Sequence, residues 1–209
     1  MKAYLITGHL EKYKGQATIG ILIVLAIIAS ACSTHDLSSS TTMTNNQDVG
    51  SKVIQTIPGF QSSNVDASAQ PTGILTIYQA SAGLSISVTK LKSCGWDSEI
   101  YKYFKDNSAS SDIDIVLVKV TTTLGAECIN QAETSSLKNV IKYIPNLTNG
   151  TIPNIPGAVL KIGKVGGQII GAFINFTTGL YFVGIYGNGE PLNLKHLTGL
   201  AVEQYEKLK

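Results

Sequence analysis

The side chains of this sequence that could do chemistry are few and scattered. Asp112 and Asp114 stand two apart at the head of the apolar run Ile113–Val120. In an extended strand such residues share a face, so the pair could bind a cation or divide acid–base work. The plainer reading is a capped loop at a strand entrance, after Ser108-Ala109-Ser110-Ser111. His196 is the histidine that could join them, because His35 falls in a polar segment near the amino-terminus. No His-x-x-x-His or Cys-x-x-Cys spacing is present to hold a metal. No Gly-x-Ser-x-Gly elbow is present to raise a nucleophile. Gly163-Lys164-Val165-Gly166-Gly167 lacks the Gly-Lys-Ser/Thr ending of a phosphate loop and reads as a tight strand connection. No cofactor is therefore expected. Three cysteines, Cys32, Cys94 and Cys128, make an odd set that needs an explanation.

Charge narrows the classes of partner. The net charge of +2 comes from the amino-terminus, and from Cys32 onward 13 lysines face 13 acidic residues. A neutral chain has no electrostatic reason to seek nucleic acid, whose binding depends on neutralising phosphates. All 16 basic residues are lysine, so no bidentate guanidinium fork is available for phosphate or carboxylate.

The elements that must position these residues begin with a leader. Residues 1–16 carry positive charge, and Ala17–Ala31 is an uncharged apolar run. As a helix that run would span about 22 Å, short of a hydrocarbon core of about 30 Å. It therefore reads as the core of a signal peptide over 1–31. Its end, Ala29-Ser30-Ala31-Cys32, resembles the lipobox of bacterial lipoproteins, in which the cysteine is acylated and becomes the new amino-terminus. Ala29 departs from the leucine commonest there. An uncleaved anchor and ordinary secretion are the alternatives. If Cys32 carries lipid, Cys94 and Cys128 remain as a pair for a disulfide; two buried free thiols are the alternative.

From Cys32 to residue 70 the chain is rich in Ser, Thr, Asn and Gln, a composition that cannot bury enough apolar surface to order itself. It reads as a tether with an r.m.s. span of about 35 Å. Val53–Phe60 is an apolar interruption that could dock on the domain as an extra strand. Residues 71–209 read as one α+β domain, an antiparallel or mixed sheet with about three helices packed on it. Ile74–Ala80 and Leu84–Leu91 read as strands, and Trp96, Ile100, Tyr103 and Phe104 fall at helical spacing. Ile113–Val120 is the clearest strand. A second helix is expected after Cys128, capped by Thr134 or Ser135, and a third over Leu194–Leu208, capped by Asn193.

The uncharged stretch 165–188 is long enough for a second membrane span. Its glycines, and the polar Asn175, Thr177 and Thr178 at its centre, argue instead for a hairpin turning at Thr177-Thr178-Gly179. Pro156-Gly157, the hairpin over Gln168–Tyr186 and the last helix over Leu192–Leu208 together resemble the closing part of small lipoproteins of Gram-positive, chiefly actinobacterial, envelopes. The absence of arginine departs from that group. The resemblance implies location and architecture: an extracytoplasmic domain on a lipid anchor in the cell membrane. The expected function is non-enzymatic binding of an envelope protein or small ligand, through the sheet face or the loop Pro145–Gly157. The alternatives are a hydrolase using Asp112, Asp114 and His196, and a membrane protein with a second span. Asn146, Asn149 and Asn175 match the glycosylation acceptor, a tripeptide that arises by chance in a chain of this composition.

Overall fold

The computed structural model describes residues 46–66, 70–106, 111–141, 147–189 and 192–209. The leader, Cys32, the tether up to residue 45 and from 67 to 69, and Asn146 lie outside these residues. The centre is an eight-stranded antiparallel sheet in the order β1-β3-β4-β8-β7-β6-β5, with β2 also pairing on β3. The strands are β1 (Phe60–Ser63), β2 (Gly73–Leu75), β3 (Trp96–Asp106), β4 (Asp112–Val120), β5 (Thr148–Gly150), β6 (Val159–Val165), β7 (Gln168–Thr178) and β8 (Tyr181–Asn188). Five helices cover it: α1 (Asn46–Lys52), α2 (Ile77–Leu84), α3 (Val88–Ser93), α4 (Thr123–Ile141) and α5 (Leu194–Leu208). The class is α+β, as the pattern predicts.

Alternation along β4 separates two cores. Ile113, Ile115 and Leu117 point into a cluster that α1 and α5 close, with Val49, Val53, Leu197 and Ala201. Val116, Val118 and Val120 point the other way, into a cluster beneath α2, α3 and α4 with Leu84, Leu91, Ala126 and Ile129. The stretch 165–188 is the expected hairpin, β7 paired with β8 from Gly171↔Asn188 to Thr178↔Tyr181. Among the described residues no helix is long and apolar enough to cross a membrane. Gly166 and Gly167 join β6 to β7 with φ of 57° and 84°. That two-residue left-handed turn matches strand twist and needs glycine, so the apparent phosphate loop is a hairpin connection.

Three expectations are corrected. Trp96–Phe104 is not helical but the first part of β3; its helical spacing arose because both faces of the strand are buried, Ile100 and Phe104 on one side and Tyr101 and Tyr103 on the other. Residues 74–91, expected as two strands, keep only the three-residue β2 and then form two helices. Thr76 and Gln79 make a reciprocal capping box on α2, and Ser87 caps α3. The helix after Cys128 begins before it, at Thr123, with the Thr122 hydroxyl accepting from the Gly125 amide at 3.0 Å, so Thr134 and Ser135 are interior. The last helix is as expected, with Asn193 Oδ1 accepting from the His196 amide at 3.1 Å.

The expected boundary at residue 71 also moves. Residues 46–57 pack as a strap into the first core, with Val49, Val53, Ile54 and Ile57 at most 2% exposed. Val53–Phe60 does dock, although only Phe60 enters a strand. Gln204 of α5, fully buried, fixes the strap: its Oε1 accepts from the Ile54 amide at 2.9 Å and its Nε2 donates to the Lys52 carbonyl at 2.8 Å. Residues 46–57, expected as tether, are therefore packed with the domain. Replacing Gln204 by Leu keeps the bulk but strands two backbone groups. It is expected to cost about 2–4 kcal/mol in urea unfolding, and a variant as stable as the parent would show that these bonds do not hold the strap.

Candidate functional site

Asp112 and Asp114 do share a face. They lie on the side of β4 that carries Val116 and Val118, the side roofed by α2, α3 and α4. His196 sits on α5, whose Leu197 and Leu200 belong to the opposite core. The sheet therefore stands between the histidine and the two aspartates, and the arrangement a hydrolase would need from these three does not form. His196 stacks at 5.7 Å from the Phe60 ring and borders a shallow hollow of about 440 Å³ with Pro58, Leu200 and Glu203. That hollow and the carboxylates are on different sides of the molecule.

What surrounds the aspartates is a row of tyrosines. The Tyr101 hydroxyl, on β3, lies 2.5 Å from Asp114 Oδ1 and 3.0 Å from Asp66 Oδ2. One hydroxyl has one proton to give, so both contacts are hydrogen bonds only when one carboxyl is itself protonated. Burial supplies the main reason for that: with the charges of Asp112 and Asp66 it pushes Asp114 up to about 7, against the Tyr101 hydrogen bond. Asp112 takes 3.0 Å from the Asn188 amide and 3.4 Å from the Tyr103 hydroxyl. Its pKa is also raised, chiefly by burial.

A second acidic group lies under α4. Glu99, beside Tyr101 on β3, is 1% exposed and has the Trp96 indole as its donor at 3.5 Å. Burial pushes it up to about 8, with the charge of Glu133 adding to the shift. Glu133 of α4 accepts from the Tyr186 hydroxyl at 2.8 Å, and burial raises it to about 7. The Tyr186 ring crosses β8 over Gly184, where an added Cβ would lie 2.3 Å from the hydroxyl, so a side chain at 184 would expel the tyrosine. Asn175, cross-strand from Gly184, is buried with no donor to its Oδ1. Its burial takes it out of reach of glycosylation in the folded chain, whereas Asn149 lies exposed on β5.

Chemically this is a group of carboxyls and phenols in which acceptors outnumber donors. It can hold protons near neutral pH and present hydroxyl and carboxyl oxygens. Among the described residues no three histidine, cysteine or acidic side chains converge so as to hold a metal ion. Cys94 and Cys128 are joined by a disulfide with 5.5 Å between their Cα atoms, tying the end of α3 to α4. Sequence reasoning found Asp112, Asp114 and the cysteines. It missed Tyr101, Tyr103 and Glu99 because reading β3 as a helix dispersed them around a cylinder; their alternation, 99, 101, 103, was the available signal.

No protein-family profile matches this sequence, and no curated protein matches it. Among solved structures, the extracellular domain of PknH from Mycobacterium tuberculosis is similar with a TM-score of 0.47 and 8% identity. The match covers 78% of this chain and 96% of that one.

The buried carboxyls set a direction for pH dependence. An unfolded glutamate loses its proton near 4.5, while folded Glu99 holds it to about 8. Across that interval the folded state binds the extra proton, so stability falls as pH rises and the loss is complete above it. Glu133 and Asp114 act in the same sense. Unfolding by urea is expected to show a loss of about 2–5 kcal/mol from about pH 5 to about pH 8.5. Glu99→Gln should flatten the slope and raise stability at the upper end. Stability that stays level or rises over that range would refute the buried acids.

Proposed function

We propose that this chain is a lipoprotein of a bacterial envelope, of the Gram-positive, actinobacterial kind, held to the outer side of the cell membrane through Cys32. The observation that carries this reading is the Cys94–Cys128 disulfide. It belongs to an oxidising compartment, and it accounts for two of the three cysteines, the third being Cys32 at the end of the lipobox-like Ala29–Cys32. Growth with labelled fatty acid should label the wild-type protein and not Cys32→Ala. An unlabelled wild type would end the lipoprotein reading.

The domain acts as a binding module without catalysis. The separation of His196 from Asp112 and Asp114 supports this, as does the engagement of the aspartates by Tyr101, Tyr103 and Asn188. The end of the sheet where Asp112, Asn188 and Lys105 reach solvent, with Tyr101 and Tyr103 buried and Asp114 half-buried behind them, is the surface with the chemistry to hold a ligand. Rich in acceptors and offset by Lys105 beside Asp112, it suits a group that donates hydrogen bonds, an ammonium above all. Titration with a lysine-rich peptide is expected to shift the ring resonances of Tyr101 and Tyr103, and Asp112→Asn with Asp114→Asn should abolish the shift. Unmoved resonances with both that peptide and a neutral oligosaccharide would remove this face as the binding surface.

A further inference from the structure

One end of the sheet gathers features that the binding face does not use. α1 begins there: Asp48 pairs with Lys119, next to last in β4, at 3.1 Å. Lys119 is in register with Tyr181, the first residue of β8, and the Leu180 carbonyl accepts from the Val120 amide at 2.9 Å. α4 starts three residues after Val120. Two leucines project from this end, Leu124 on the first turn of α4, 79% exposed, and Leu180 in the β7–β8 turn, 37% exposed. The opposite end of the same hairpin, at Gln168, is about 34 Å away along β7.

The length of chain between the lipid-bearing residue and α1 decides what faces this end. Thirteen residues separate Cys32 from Asn46. They reach at most about 50 Å fully extended, and about 20 Å at the dimensions of an average coil. A domain of this size is about 40 Å across. At coil dimensions the connection is shorter than the domain's own diameter, which brings the bilayer to the end where the chain joins α1. We infer that the domain rests on the membrane by this end, with Leu124 and Leu180 in the lipid interface. This rests on the Cys32 anchor proposed above. The occupant of the two exposed leucines is then the bilayer that the chain is attached to, and Asp112 and Asn188 lie at the other end of the β4–β8 pair, away from it.

The test uses the full lipidated chain in vesicles of phosphatidylglycerol and phosphatidylcholine. With Cys32 acylated and Cys94 bonded to Cys128, an introduced thiol takes an environment-sensitive fluorophore alone. Leu124→Cys, Leu180→Cys and Gln168→Cys are labelled in turn, and a quencher is carried on the lipid chains. Labels at 124 and 180 are expected to be quenched at least about twofold more than the label at 168, as residues seated in the interface must be. Equal quenching at the three positions in acylated protein would overturn the docking and leave the anchor standing. Protein that takes up no fatty acid would overturn the anchor, and the docking with it.

Discussion

β4 loses contact with water on both sides. Ile115 and Leu117 enter one core and Val118 and Val120 the other, each at most 1% exposed, so each face of the sheet has to find apolar cover. The two longest helices supply one roof on each side, α5 on one and α4 on the other, and neither spans a sheet of this width alone. α2 and α3 complete the second roof. The strap 46–57 completes the first, and this is why residues of tether-like composition become part of the domain. The apolar positions Val49, Val53, Ile54 and Ile57 lie within a polar background that keeps the average composition hydrophilic, and burial follows individual side chains rather than averages.

Covering the second face has an electrostatic cost. α4 closes over Glu99 and Glu133, and β3 and β4 enclose Asp114, where desolvation disfavours the charged form of each. Tyr101, Tyr186 and Trp96 offset part of that cost by donating to these groups. The disulfide acts on the other side of the balance. Cys94 and Cys128 are 34 residues apart, and in the chain-entropy model closing such a loop removes about 3.8 kcal/mol of freedom from the unfolded state. The crosslink lies at the junction of α3 and α4, where Gly125 lets the first turn of α4 press on the Cys94 carbonyl; a Cβ there would come within 2.2 Å of it. The acid-bearing roof is thus pinned at the end where its first turn begins.

How much of this was legible follows from how many faces each element buries. The β7–β8 hairpin and α5 were readable, because glycine placement, β-branched residues and a single apolar stripe all point the same way. β4 was readable from its density of Ile and Val. β3 was not, since a strand with Ile100 and Phe104 on one side and Tyr101 and Tyr103 on the other offers no clean period. α2 and α3 were lost for the opposite reason: they are short, and Ile77 and Val88 within them, with Ile74 and Ile86 beside them, made the stretch look strand-like. The Thr76–Gln79 capping box was the local sign that outweighs it. The pairing of Asp112 with Asp114 needed only the alternation of one strand. The tyrosines that engage them come from a neighbouring strand, and such neighbours are set by register, which single-strand patterns do not encode.

The strap is held by the far end of the chain. Docking residues 46–57 buries one amide side chain, Gln204, whose polar atoms are satisfied by Ile54 and Lys52. Those bonds join elements 150 and 152 residues apart in sequence, so they form only when α5 has packed on the sheet. The docking of residues 46–57 is therefore set by the carboxyl-terminal helix, and no inspection of that segment by itself could have foreseen it.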